Sequence, residues 1–223
     1  MSVLRPNSRQ SRRQRTYLRA DVRRAQILDV AKRVFVRRGY HVANVADICK
    51  EARIGRGTLY QYFKNKRAVL LAVMKEVAGR VKRVLDERPR IADLRGAGKA
   101  PPELVASFAK KRLRLVLDAV FVDEPTLRLL VRDARGLDGA VDEVIGMIDG
   151  LVFGALEDDL RAAQRFGVMR RGDTRLIARF ILGGIEKMVL TALAGDEAID
   201  LDAIVDTAVE LELFGLLTKE VPR

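Results

Sequence analysis

The sequence predicts an all-α protein made of a small N-terminal helical module and a larger C-terminal one. Three observations predict it. Apolar residues recur at three- and four-residue spacing from Ile27 onward, and no alternating strand of useful length interrupts them. Residues 1–66 carry 17 Lys and Arg against 4 Asp and Glu, while the remainder carries 25 against 26, so the net charge of +12 belongs to the first third. Residues 44–62 read as two very short helices on a tight turn between longer helices, the pattern of a helix-turn-helix.

The elements follow in order. Residues 1–20, MSVLRPNSRQSRRQRTYLRA, have few apolar residues and many arginines, and read as a flexible basic arm. From Asp21 the pattern is helical, with Ile27, Val30, Ala31, Val34 and Phe35 on one face. Gly39 after Arg37 and Arg38 is a helix stop, because glycine accepts the left-handed conformation. Asn44 is a favoured N-cap with Asp47 three residues on, in a capping-box arrangement, and Val45, Ile48, Cys49 and Ala52 supply the inward face. Arg53 and Ile54 make the turn, and a second short helix runs from about Gly55 through Tyr62. Asn65 can cap a further helix that continues to about Glu87.

The stretch from Arg88 to Pro102 is rich in proline, glycine and charge and reads as a loop. Five helices are expected after it, over about 102–122, 125–136, 139–166, 173–195 and 200–219. Pro125 suits a first turn, Gly167 a stop and Asp173 an N-cap. The domain reading is therefore an arm over 1–20, a helix-turn-helix domain over 21–66 whose linking helix runs to about 87, and a helical domain over 88–223.

Composition narrows the function. A chain of 223 residues with 48% hydrophobic residues can bury a core. A single cysteine, Cys49, and a single histidine, His41, leave no disulfide framework, multi-cysteine zinc site or histidine triad. Glu157-Asp158-Asp159 and Asp123-Glu124 lack His, Cys or a phosphate loop beside them and read as solvated helix faces. No motif for catalysis, metal or cofactor binding is found, and the chain is not expected to be an enzyme. No apolar run is long enough for a bilayer, so a cytoplasmic protein without a membrane role is expected. The basic first third is the footprint expected for a phosphate-backbone partner, and an anionic membrane surface would attract it too.

The stretch from about Arg24 to Glu76 resembles the TetR family of bacterial transcriptional regulators. ILDVAKRVFVRRGY, NVADICKEARIGRGTLYQYFKNK and AVLLAV carry the likeness. They include the Gly39-Tyr40 pair that ends the first helix, the Gly-Thr-Leu-Tyr-x-Tyr-Phe pattern of the recognition helix at Gly57–Phe63, and the following Lys66. The chain departs from the pattern at Arg53, where the family commonly has glycine, and at Gly55, where a serine-like cap is common.

The resemblance implies DNA binding through the Gly55–Tyr62 helix in a major groove. Tyr60, Tyr62 and Thr58 carry hydroxyls suited to phosphate oxygens, and Lys64 and Lys66 add charge. Arg56 and Gln61 suit base edges, Arg with guanine and Gln with adenine. Gly57 lets the backbone approach closely. Asn44 caps its helix and can also touch a phosphate. Leu59 and Phe63 face inward, and core packing is the competing reading for both tyrosines.

The resemblance further implies a homodimer formed through the last two long helices, where Gly183 and Gly184 permit close approach. It also implies a small, largely apolar effector among the central helices, for which Phe121, Met147, Leu151 and Phe180 are candidates. Ordinary core is the competing reading for these four. The expected function is a repressor released from a palindromic operator by that effector. The alternative is a ligand-independent architectural DNA-binding protein of the same fold.

Overall fold

The computed structural model describes residues 8–90, 101–133, 137, 139–195 and 198–214. Among these residues there are nine α-helices and no strand. The chain divides into two compact units between Met74 and Lys75.

The first unit holds α1 (Ser8–Arg38), α2 (Val45–Ala52), α3 (Arg56–Tyr60) and the start of α4 (Lys66–Glu87). The helix of α1 reaches back to Ser8, through residues read from the sequence as an arm. Its Arg, Gln, Leu and Ala content is compatible with helix, and neither proline nor glycine interrupts it before Gly39. Gly39 stops α1 with φ 77°. The capping box of α2 is complete: the Asp47 N–H donates to Asn44 Oδ1 at 3.0 Å, and the Asn44 N–H donates to Asp47 Oδ2 at 2.9 Å. Such a cap contributes about 1 kcal/mol.

Ile27, Leu28, Val34 and Phe35 of α1 pack in a core with Ile48 of α2, Leu59 of α3 and Val69, Leu70 and Val73 of α4, all buried. Ion pairs from Arg37 to Glu51 and from Arg38 to Asp47 join the basic end of α1 to α2.

The second unit begins within α4 and contains α5 (Pro102–Phe121), α6 (Glu124–Asp133), α7 (Gly139–Arg165), α8 (Thr174–Ala194) and α9 (Leu201–Phe214). Helix α5 packs on α9, α7 on α8, and α8 on both α6 and α9. Gly167 follows α7 with φ 71°, and Asp173 caps α8 by accepting from the backbone N–H groups of Arg175 and Leu176. Most of the loop expected over 88–102, and the last five residues of the final expected helix, lie outside the described residues.

A sequence expectation fails in this unit. Glu157 and Asp159 are only 8% and 7% exposed, not solvated, although Asp158 between them is exposed. Helical register explains it. Asp159 stands seven and four residues after Val152 and Ala155 and three before Ala162, on the inward side of α7. The Asp123-Glu124 pair, by contrast, is partly exposed and serves the start of α6: Asp123 Oδ1 accepts from the Thr126 N–H at 3.3 Å and Glu124 pairs with Arg128 at 2.8 Å.

Candidate nucleic-acid interface and internal cavity

The turn between α2 and α3 is made by Arg53, which adopts the left-handed conformation at φ 54° and sends its N–H to Lys50 O at 3.3 Å. A side chain there is strained by about 1 kcal/mol, which is why glycine is the easier residue. Gly55 then opens α3 without a side-chain cap; its carbonyl accepts from the Thr58 and Leu59 N–H groups.

Helix α3 is five residues long, and its two sides differ. Leu59 is fully buried, and Phe63 just beyond is buried with the Arg24 guanidinium 5.3 Å from its ring centre. Arg56, Gly57, Tyr60, Gln61 and Lys64 are exposed, while Thr58 and Tyr62 are half-buried. Five of the expected DNA-facing groups are thus exposed on or just after α3, with Tyr60 53% exposed. A Cβ added to Gly57 would meet nothing within 4 Å, so no packing among the described residues demands glycine there. Asn44 is exposed at the start of α2, with its Oδ1 committed to the cap.

Lys66 takes a different role from the phosphate contact expected of it. Its ammonium donates to the carbonyls of Tyr40 at 2.7 Å, His41 at 3.2 Å and Ala43 at 2.8 Å. Its Nζ also lies 4.4 Å from the centre of the Tyr40 ring. An ammonium has three donors, so these bonds occupy all of them. Burial pushes the Lys66 pKa down. Cys49 is buried, and burial pushes its thiol pKa up, against the opposing charge of Arg56. Both observations fit an inert core thiol.

In the second unit, α4, α5, α7, α8 and α9 enclose an apolar cavity of about 320 Å³. Its walls include Val105 and Phe108 of α5, Val152 and Leu156 of α7, Ile181 and Ile185 of α8, and Val209 of α9. None of Phe121, Met147, Leu151 and Phe180 lines it. Phe180 is 84% exposed and Met147 is also exposed, because each lies on the outward side of its helix; on α8 the inward positions are Ala178, Ile181 and Ile185. Leu151 instead lines a polar surface groove.

That groove carries Arg88, Arg90, Arg161, Arg165 and Arg171 together with Asp86, Asp158 and Asp159. Leu85, Arg88, Ala155 and Asp159 border groove and cavity alike.

At this shared wall Asp159 Oδ2 receives both Arg88, at 3.3 Å, and Arg112. Burial, reinforced by Arg88, pushes the Arg112 pKa down to about 10, with Glu212 acting against the shift. Glu212 is exposed by its accessible surface and lines the cavity, where desolvation among the apolar walls pushes its carboxyl up, opposed by Arg112. The Arg112 guanidinium also lies 5.4 Å from the centre of the Phe108 ring. No residue of this wall was singled out from the sequence as a site. The available signal was the inward register of Asp159.

Comparison with known proteins places these features. Residues 27–73 match the family of bacterial regulatory proteins, tetR family. The fatty acid metabolism regulator protein of Bacillus subtilis strain 168 is 28% identical over 195 residues, spanning 87% of this chain and 95% of that protein. The chain belongs to the TetR family. This TetR-family protein is a DNA-binding transcriptional regulator.

The HTH-type transcriptional activator FasR of Mycolicibacterium smegmatis is 32% identical over 136 residues, 59% of this chain and 62% of FasR. Among solved structures, the transcriptional regulator FadR from Bacillus subtilis in complex with stearoyl-CoA aligns with a TM-score of 0.66 and 27% identity, over 86% of this chain and 99% of that one. The likeness to FadR therefore extends through the second unit as well as the helix-turn-helix. Among the described residues of this TetR-family chain no helix is long and apolar enough to cross a membrane, and no group of three acidic, His or Cys residues is placed to hold a metal.

Proposed function

We propose that this TetR-family regulator is a homodimeric cytoplasmic repressor. It holds a palindromic operator until a long-chain acyl amphiphile enters its second unit. The observation that carries the reading is the apolar cavity sharing a wall with an arginine-rich groove. Its volume of about 320 Å³ suits a small-molecule site. A molecule with an apolar chain and a polar, anionic end matches that pair of surfaces, and the FadR relative bound to stearoyl-CoA supports the acyl-CoA class.

The protein works by binding, not catalysis. Tyr60, Tyr62, Thr58 and Lys64 hold phosphates, and Arg56 and Gln61 read base edges. Dimer formation is supported by the outward side of α8, where Leu176 and Phe180 are exposed and a Cβ on Gly183 or Gly184 would meet nothing within 4 Å. Among the described residues no group lies within 4 Å of such a Cβ, which leaves the close helix approach they allow open to a second copy. Effector binding acts only through differential affinity for the two states of the dimer.

The experiment is to select bound fragments from the source genome and titrate the complex with palmitoyl-CoA, acetyl-CoA and CoA. Release by palmitoyl-CoA alone is expected. An architectural role would leave the complex and the thermal stability indifferent to all three.

A further inference from the structure

Helix α4 runs unbroken from Lys66 to Glu87 and belongs to both units. Arg88 is the first residue beyond that helix. One of its terminal nitrogens donates to Leu85 O in the last turn of α4. The other donates to Ala155 O at 3.1 Å and to Asp159 Oδ2 at 3.3 Å, both on α7. A single guanidinium therefore fastens the end of α4 to the middle of α7.

The fastening is incomplete. Arg112 of α5 converges on the same Asp159 oxygen, and the side chains of Arg88, Arg112 and Asp159 are 9%, 15% and 8% exposed. The Nε–H groups of Arg88 and Arg112 are buried and have no partner among the described residues. Glu212 of α9 lines the same cavity, and its charge acts on Arg112. What the cluster lacks is acceptors for two buried donors, which native structures rarely leave unmet. Leu85, Arg88, Ala155 and Asp159 are also the residues common to cavity and groove. A ligand with its chain in one and its head in the other crosses at this point.

We infer that Arg88 is a ligand-operated latch on α4, opened when an acyl oxygen of the effector takes guanidinium donors from Asp159. The inference rests on the acyl reading of the cavity. The chemistry is a carbonyl or carboxylate oxygen at the head of a long chain, supplied by a thioester or by a free fatty acid. With the oxygen in place, Arg88 leaves its α7 partners and the end of α4 is released.

The test measures ligand affinity by calorimetry and operator affinity by anisotropy, separately. Wild-type protein should lose at least about fivefold in operator affinity on saturation with palmitoyl-CoA. Arg88→Met should still bind palmitoyl-CoA, yet its operator affinity should change by less than about twofold on saturation. Arg88→Lys, which keeps the charge but not the fork of donors, should behave likewise and covers the case in which the methionine variant does not fold.

The S-hexadecyl thioether of CoA, lacking the carbonyl, should bind wild type without releasing DNA. Palmitate tests the carboxylate source: release by it means a carboxylate suffices, and its failure beside active palmitoyl-CoA means the thioester is required. Variants that bind ligand and release DNA as wild type does would overturn the latch, as would full release by the thioether. If wild type binds no acyl compound, the acyl reading itself fails and the latch falls with it.

Discussion

The Lys66 ammonium donates to the Tyr40 carbonyl at 2.7 Å while standing 4.4 Å from the centre of the same residue's ring. Tyr40 is buried and its ring packs edge-on against Phe35 of α1, with centres 5.5 Å apart. The first residue of α4 is thereby tied to the chain that leaves α1. Lys66→Met would leave three carbonyls without their donor, and a loss of about 2 kcal/mol in unfolding free energy is expected. Urea denaturation measures it. A variant as stable as wild type would show that the ammonium is dispensable to the unit.

Gly57 separates folding from DNA contact. Alanine has room there and favours helix, so Gly57→Ala should stabilise the free protein by up to about 1 kcal/mol. If glycine is present for close approach of the backbone to DNA, the same variant should bind the operator more weakly. Thermal denaturation and anisotropy on one preparation give both signs. Unchanged operator affinity would remove the close-approach role.

Arg56 and Tyr60 are both exposed on α3 but are assigned different work. Arg56→Ala should relax base preference at one position, at a cost of about 1–3 kcal/mol on the preferred site. Tyr60→Phe should weaken every site alike, because a phosphate contact carries no sequence information. Binding to a randomised operator library distinguishes them, and an unaltered preference profile for Arg56→Ala would contradict its reading role.

Much of the first unit was legible because its signals are local. The Asn44–Asp47 capping box, the Gly39 stop, and the inward Leu59 and Phe63 each follow from spacing within one or two turns. Lys66 was not legible, because its carbonyl partners lie 23 to 26 residues away. In the second unit the helices could be read, but their packing could not. Phe180 and Met147 were chosen as large apolar residues, yet α8 and α7 turn them outward. Asp159 had the inward register of its helix but was read by charge. Arg88 and Arg112 meet it from sequence separations of 71 and 47 residues.

Phe180 gives a direct test of assembly. It is 84% exposed on α8, so Phe180→Asp should leave each subunit folded while weakening the dimer and, with it, operator binding. Sedimentation at micromolar concentration should show monomer for the variant and dimer for wild type. A variant that sediments with wild type would place the interface elsewhere.

On the proposed function, an acyl chain in the cavity of the second unit controls DNA binding. Val152 lines that cavity, and Val152→Trp fills it with a larger side chain. The decisive measurement is a palmitoyl-CoA titration of the operator complex for wild type and this variant, followed by anisotropy. The account predicts release of wild type and retention by a Val152→Trp protein that binds the operator normally. Equal release from both, or none from wild type, would contradict it.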